Sequence, residues 1–155
     1  MAPEGGSLKE RLAQEMRQAM KNREKTRLGA LRLLTASVKN REVEVGHELS
    51  DDEFVEIATR EVKRRREAIE AYENAGREDR AATEREEQGV LESYLPEGLS
   101  EEELGALIDE AMSATGAASP GDLGKVMGFV MGKAKGRVDG KAVQARVRER
   151  LNQSV

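Results

Sequence analysis

The sequence predicts an all-α protein in two parts, an N-terminal bundle of about four helices over residues 1–95 and a small three-helix C-terminal module over residues 96–155. Three observations carry this reading. Apolar residues recur at three- and four-residue spacing along nearly the whole chain. No stretch sustains the two-residue alternation of β-branched residues that a half-buried strand needs. Helix-start signals fall where each periodic stretch begins: Ser7/Glu10, Ser50/Glu53, Thr83/Glu86 and Ser100/Glu103 have the spacing of capping boxes, in which a hydroxyl and a carboxylate satisfy each other's orphan amides.

The first helix, from about Leu8 to Lys21, places Leu8, Leu12, Met16 and Ala19 on one face. The second, from about Glu24 to Val45, carries Leu28, Leu31, Leu34 or Thr35, and Val38, and Gly46-His47-Glu48 connects it to the third. That third helix, from about Asp51 to Ala75, aligns Phe54, Ala58, Val62, Ile69 and Tyr72, and Gly76 is a good stop. Arg65 lies on the same stripe, which makes it a candidate buried partner for a carboxylate. A fourth helix starts at about Thr83, presents Val90, Leu91, Tyr94 and Leu95, and ends at Pro96. Beyond Pro96 come three shorter stripes: Leu104, Leu107, Ile108, Ala111 and Met112; Leu123, Val126, Met127, Val130 and Met131; and Val143, Val147 and Leu151. Ser119-Pro120-Gly121-Asp122 and Asp139-Gly140 supply the starts of the last two helices.

Composition removes several function classes. Of 155 residues, two are Phe, two Tyr and none Trp, which excludes a large aromatic core and the aromatic stacking platforms of many RNA-binding sheets. Zero cysteines exclude disulfides, thiolate catalysis and cysteine metal sites. A single histidine, His47, leaves no pair for zinc, argues against a Ser-His-Asp triad and reads as a plain surface residue. Gly124-Lys125 is no phosphate-binding loop, because Ser119 stands where its first glycine belongs and Val126 where Ser or Thr belongs. Asp51-Asp52-Glu53 and Glu101-Glu102-Glu103 occupy first helical turns, where acids stabilise the helix dipole. No catalytic residue, metal or cofactor is expected. There is no apolar run long enough to span a bilayer and no signal-peptide shape at the start, so a cytoplasmic protein without a membrane partner is expected.

Charge is segregated in the second part. From Glu97 to Asp122 there are seven acids and no Lys or Arg, whereas from Gly124 to Arg150 there are eight bases against Asp139 and Glu149, a net of +6. Either this is a basic surface for a polyanion, or the acidic helix packed beside it balances the charge. Gly124, Gly128, Gly132 and Gly136 recur every four residues and line one helical ridge. A helix-interior glycine costs about 1 kcal/mol relative to alanine. The ridge therefore implies close approach, either of a neighbouring helix or of a nucleic-acid backbone flanked by Lys125, Lys133, Lys135 and Arg137 as phosphate contacts. Gly136 also suits a helix stop. In the first part, Arg60, Lys63, Arg64, Arg65 and Arg66 read mostly as a solvated face with intrahelical ion pairs. Lys21, Arg23, Lys25 and Arg27 crowd the first helix junction, where charge at a helix C-terminus is the simplest role.

Five ordered motifs carry a family resemblance over nearly the whole chain. They are Lys39-Asn40-Arg41-Glu42, the run from Glu67 to Asp79 (EAIEAYENAGRED), Glu92-Ser93-Tyr94-Leu95-Pro96, Gly124-Lys125-Val126-Met127-Gly128 and the run from Lys135 to Lys141 (KGRVDGK). Together they resemble the YqeY-like proteins, with a departure at Gly132, where many relatives are expected to carry proline. The C-terminal module of that family is similar to the tail of GatB, a subunit of the glutamine-dependent tRNA amidotransferases, in which a helical tail holds the tRNA body. The resemblance implies a helical protein that binds tRNA or a structured RNA, with contacts at Gly124, Lys125, Gly128, Lys135, Gly136 and Arg137, to which the basic segment adds Lys133 and Lys141 as candidate RNA-binding residues. It also implies an accessory link to tRNA-dependent amidation, a carbon–nitrogen ligase reaction with glutamine as amide donor, and an amidotransferase or other tRNA-handling protein as partner. The catalytic cradle of that enzyme has no counterpart in 155 residues, so the chain by itself is not expected to be an enzyme. The alternative is a helical protein–protein adaptor without RNA contact, whose glycine ridge packs a partner helix.

Overall fold

The computed structural model describes residues 7–134 and 137–153, and every structural statement below concerns those residues. They form seven α-helices and one short 3-10 turn, with no strand. The elements are α1 (Leu8–Lys21), α2 (Lys25–Val45), α3 (Asp51–Asn74), α4 (Glu78–Glu92), α5 (Glu101–Thr115), the turn Pro120–Asp122, α6 (Leu123–Lys133) and α7 (Gly140–Gln153). None of the helices is long and apolar enough to cross a membrane. The chain divides into two compact units, Met1–Leu95 and Pro96–Val155, each with its own core.

In the first unit, α3 packs most extensively on α4, and α2 packs on α1, α3 and α4. The core takes Leu12 and Ala19 from α1, Leu31, Leu34 and Val38 from α2, Phe54, Ile57, Ala58 and Val62 from α3, and Leu91 from α4. Tyr94, just past α4, closes it: its ring lies 5.7 Å from that of Phe54, and the Arg11 guanidinium sits 4.2 Å above its centroid. The Tyr94 hydroxyl donates to the Glu15 carboxylate. Burial first, and then that carboxylate, push the phenol well above its ordinary pKa.

Of the four capping signals in the sequence, three mark observed helix starts and one does not. Ser50/Glu53 and Ser100/Glu103 form reciprocal capping boxes, and the Ser7 hydroxyl accepts from the Glu10 amide. Thr83, by contrast, is interior: α4 begins a turn earlier, at Glu78, and the Thr83 hydroxyl donates back to the Asp79 carbonyl. Ala81 on that added turn is fully buried, so packing against α3 extends the helix past its apparent cap. Arg65 is indeed buried, at 8% exposure, with its Nε 2.9 Å from Glu87 and 3.4 Å from Glu84, both on α4. Burial, followed by the Glu84 charge, raises the Glu87 pKa. Glu61, on the same face of α3, is buried as well and pairs with Arg64 at 3.1 Å.

In the second unit, α6 packs between α5 and α7, and the core holds Leu104, Ile108, Ala111, Val126, Val130, Val143, Val147 and Leu151. The Asp122 carboxylate accepts from the Ala118 and Ser119 amides, which fixes the turn leading into α6. Asp139 accepts from the Lys141 amide at the start of α7.

Two outcomes follow from these contacts. Ser100→Ala removes one half of a capping box and lowers stability by about 1 kcal/mol, read by urea unfolding followed by helical circular dichroism. Glu42 accepts from Lys9 Nζ at 2.7 Å and from the Leu49 amide at 2.9 Å, and these bonds, Lys9 first, hold its pKa below the usual carboxylate value. A depressed folded pKa gives stability that is present above the unfolded value and lost as pH falls through the folded one. Glu42→Gln therefore lowers the melting temperature at neutral pH, and the gap between variant and parent closes in strongly acidic buffer.

Candidate nucleic-acid interface

The ridge singled out by glycine spacing lies on α6, and its described members are open. Gly124, Gly128 and Gly132 are exposed, and a Cβ built on any of them meets nothing within 4 Å. Their periodicity is accordingly not explained by a helix of this chain packing on them. Val126 and Val130 point the other way into the core, and this fixes which side of α6 the glycines occupy. Lys125 and Lys133 are exposed beside the ridge. Lys133 Nζ lies 5.1 Å from the Phe129 ring centroid and 2.7 Å from Glu110 of α5. Lys125 is 3.7 Å from Asp122.

Three further bases of the segment face acids. Arg146 pairs with Glu101 at 3.0 Å, Arg150 pairs with Asp109, and Arg137 approaches Glu103 at 3.9 Å. Of the two readings of the charge segregation, balance by the acidic α5 describes Lys133, Arg137, Arg146 and Arg150. Their acidic partners are more than half exposed in every case, so these are solvent-screened pairs of small net worth. A phosphate can compete for such bases.

Arg137 has a second duty. Its Nε donates to the Glu97 carbonyl at 2.9 Å, and its own carbonyl accepts from the Leu99 amide at 2.9 Å, so it ties the segment before α5 to the turn after α6. Lys141 is exposed on the first turn of α7. Lys135 and Gly136, also singled out by sequence, lie outside the described residues.

No cluster of three or more His, Asp or Glu side chains suited to a metal occurs among the described residues. A shallow depression between α5 and α7 is lined by Gly105, Ile108, Arg146, Glu149, Arg150 and Gln153. His47 is exposed, with Nε2 2.9 Å from Glu53 Oε2, the same carboxylate that caps α3. Of the junction bases, Lys21 sits in the last turn of α1, where its charge complements the helix dipole, whereas Lys25 opens α2. Among the described residues, Arg17, Lys21, Arg23, Lys25, Arg32 and Lys39 make no ion pair, which sequence alone does not reveal.

Comparison with curated proteins gives no match. The family model for Yqey-like proteins matches residues 9–151, which takes in all seven helices except the ends of the first and last. The five motifs, the two all-helical units and this nearly full-length match agree, and the chain belongs to the YqeY-like family.

Proposed function

We propose that this chain is a non-catalytic RNA-binding protein whose C-terminal unit receives tRNA or a similarly structured RNA on the glycine face of α6. The observation that carries the reading is the bare ridge itself. The interior Gly128 costs about 1 kcal/mol against alanine, and Gly124 and Gly132 stand in the end turns of the same helix. Among the described residues, nothing occupies the space the three leave. A backbone stripped of Cβ atoms and flanked by Lys125 and Lys133 suits a sugar–phosphate chain, which binds through amides and cations placed close to its oxygens. Resemblance to the GatB tail supports tRNA as the RNA class and an accessory role in tRNA-dependent amidation, with an amidotransferase or another tRNA-handling protein nearby. The second reading, a protein adaptor, is favoured by the four-residue glycine spacing, which also suits a seated partner helix, and by the α5 acids that already hold the tail bases.

Gly128 separates folding from function. Nothing within 4 Å opposes a Cβ there, so Gly128→Ala raises stability by about 1 kcal/mol through helix propensity, read by urea unfolding. On the proposal, the same substitution weakens binding to unfractionated tRNA, because it fills the space the RNA backbone enters. Lys125→Gln/Lys133→Gln/Lys135→Gln lowers both affinity and its salt slope, measured by filter binding at two salt concentrations. Arg137 is unsuited to that test, since its substitution also removes the Nε bond to the Glu97 carbonyl that ties down the segment before α5. Unchanged tRNA binding in both variants removes the tail-surface reading. A purified partner protein retained after nuclease treatment and lost with Gly128→Leu establishes the adaptor.

A further inference from the structure

The α1–α2 hairpin, residues 8–45, carries ten bases and five acids, a net of +5 in a chain whose overall charge is −4. Eight of those bases (Arg17, Lys21, Arg23, Lys25, Arg27, Arg32, Lys39 and Arg41) fall in residues 16–41, where Glu24 is the one acid. Two of the eight are used internally: Arg27 pairs with Glu15 and Glu24, and Arg41 with Glu44. The other six are exposed, and among the described residues none of them makes an ion pair or a side-chain hydrogen bond. In the tail, by contrast, Lys133, Arg146 and Arg150 face acids on α5.

The arrangement is ordered along the helices. Lys25, Arg32 and Lys39 are spaced seven residues apart on α2. That is close to two helical turns per step, so all three lie on one face at intervals of about 10 Å. The stripe lies to one side of Leu31, Leu34 and Val38, which are buried. Between successive cations stand Gly29 and Ala36 on its outer side and the partly buried Leu28 and Thr35 on its inner side. A Cβ on Gly29 would meet nothing within 4 Å, so no packing demand accounts for a glycine inside α2. On α1, Arg17 and Lys21 are one turn apart on the side away from Leu12 and Ala19. Arg23, in the turn between the helices, takes the left-handed backbone conformation with φ 56°, which costs an L-residue roughly 1–2 kcal/mol and favours glycine or asparagine.

Local helix chemistry does not ask for these cations. Lys21 suits the C-terminus of α1, but Lys25 opens α2, where the dipole disfavours positive charge, and the first turn of α2 holds no acid. Nor is the hairpin built to lie in a membrane surface, which requires an apolar face opposite the basic one. That face of α2 is already buried in the core, and the exposed large apolar residues Met20, Leu33 and Val43 are spread over two helices. An evenly spaced, unpaired row of cations bordered on its outer side by Gly29 and Ala36 matches a polymer of regularly spaced anions.

We propose that the exposed face of the α1–α2 hairpin, formed by Arg17, Lys21, Arg23, Lys25, Arg32 and Lys39, docks the phosphate backbone of a structured RNA. The inference rests on the RNA-binding reading of the chain but not on the part the tail plays in it. Contacts here are to phosphate and carry no base specificity, so the hairpin supplies affinity and association rate rather than choice of sequence.

The test uses the full chain, with fluorescently labelled unfractionated tRNA as probe over a salt series. Lys25→Gln/Arg32→Gln/Lys39→Gln is compared with Arg60→Gln/Lys63→Gln/Arg80→Gln, which removes the same charge from exposed bases of the same unit outside the stripe. The stripe variant is expected to lose about tenfold or more in affinity at intermediate salt and to flatten the salt slope by about 3. The comparison variant loses little. Arg23→Gly relieves the left-handed backbone, so it is expected to leave stability intact while weakening binding. Equal losses in the two triple variants, or full binding by the stripe variant, overturn the proposal. If the stripe variant fails while Lys125→Gln/Lys133→Gln binds normally, the hairpin proposal stands and the tail reading falls. The reverse pattern overturns the hairpin and leaves the tail. Absence of tRNA binding by the parent protein at low salt overturns both. Stripe-dependent binding to phosphatidylserine vesicles with none to tRNA also overturns the proposal.

Discussion

Burial of one narrow aliphatic stripe per helix is the constraint on which the rest of this structure depends. Charged residues are nearly as numerous as hydrophobic ones, 36% against 37%, and aromatics supply only 3% of the chain. Apolar surface is scarce, so each helix presents Leu, Ile, Val and Ala at helical spacing to a core and leaves most other positions to polar side chains. Two separate cores result, one around Phe54, Leu31, Leu34 and Leu91, the other around Val126, Val130, Val143 and Val147. Once these stripes are inside, the remaining freedom lies in how the charges outside them meet.

That electrostatic outcome differs between the units. In the second, sequence segregation brings acidic α5 and basic α7 into register, and Glu101–Arg146 and Asp109–Arg150 neutralise each other on the surface. In the first, Arg65 is drawn into the α3–α4 interface beside Glu84 and Glu87, with a second buried carboxylate at Glu61. A buried cation of this kind is held chiefly because removing either side strands the other in a poor solvent, so it specifies the pairing of α3 and α4 more than it adds stability. On the α1–α2 hairpin Lys9, Arg11, Arg27 and Arg41 face acids, whereas Arg17, Lys21, Arg23, Lys25, Arg32 and Lys39 make no ion pair among the described residues. Self-repulsion among those six is a standing cost that an external anion would relieve.

Glycine placement tells a parallel story. Gly46, Gly76 and Gly116 occupy left-handed backbone at or just after the C-termini of α2, α3 and α5, where they have a local structural reason. Gly124, Gly128, Gly132 and Gly29 have none: each stands within a helix with open space where its side chain would be. Two helical faces therefore combine missing side chains with flanking cations, one in each unit. Such faces are the places where a helical protein without aromatic platforms can bring a phosphate chain close to its backbone.

Fold class, the seven helices and most of the core were legible in the sequence, because apolar periodicity and capping are local codes read within a few residues. The start of α4 was not: Thr83 with Glu86 has the form of a cap, but burial of Ala81 against α3 extends the helix through it. The candidate α6 face was legible as a glycine period with lysines beside it. Sequence could not say whether that period served packing or access, since only three-dimensional placement shows the space beside Gly128 to be empty. Which bases are occupied was equally hidden. Arg146 and Arg150, part of a basic segment that sequence reads as either open or balanced, are paired across 45 and 41 residues, whereas Lys25, read as helix-junction charge, makes no ion pair among the described residues. Residue spacing determines which side of its own helix a side chain occupies; only tertiary packing decides what stands opposite, because ion pairing falls off over a few ångströms and its partners are distant in the chain.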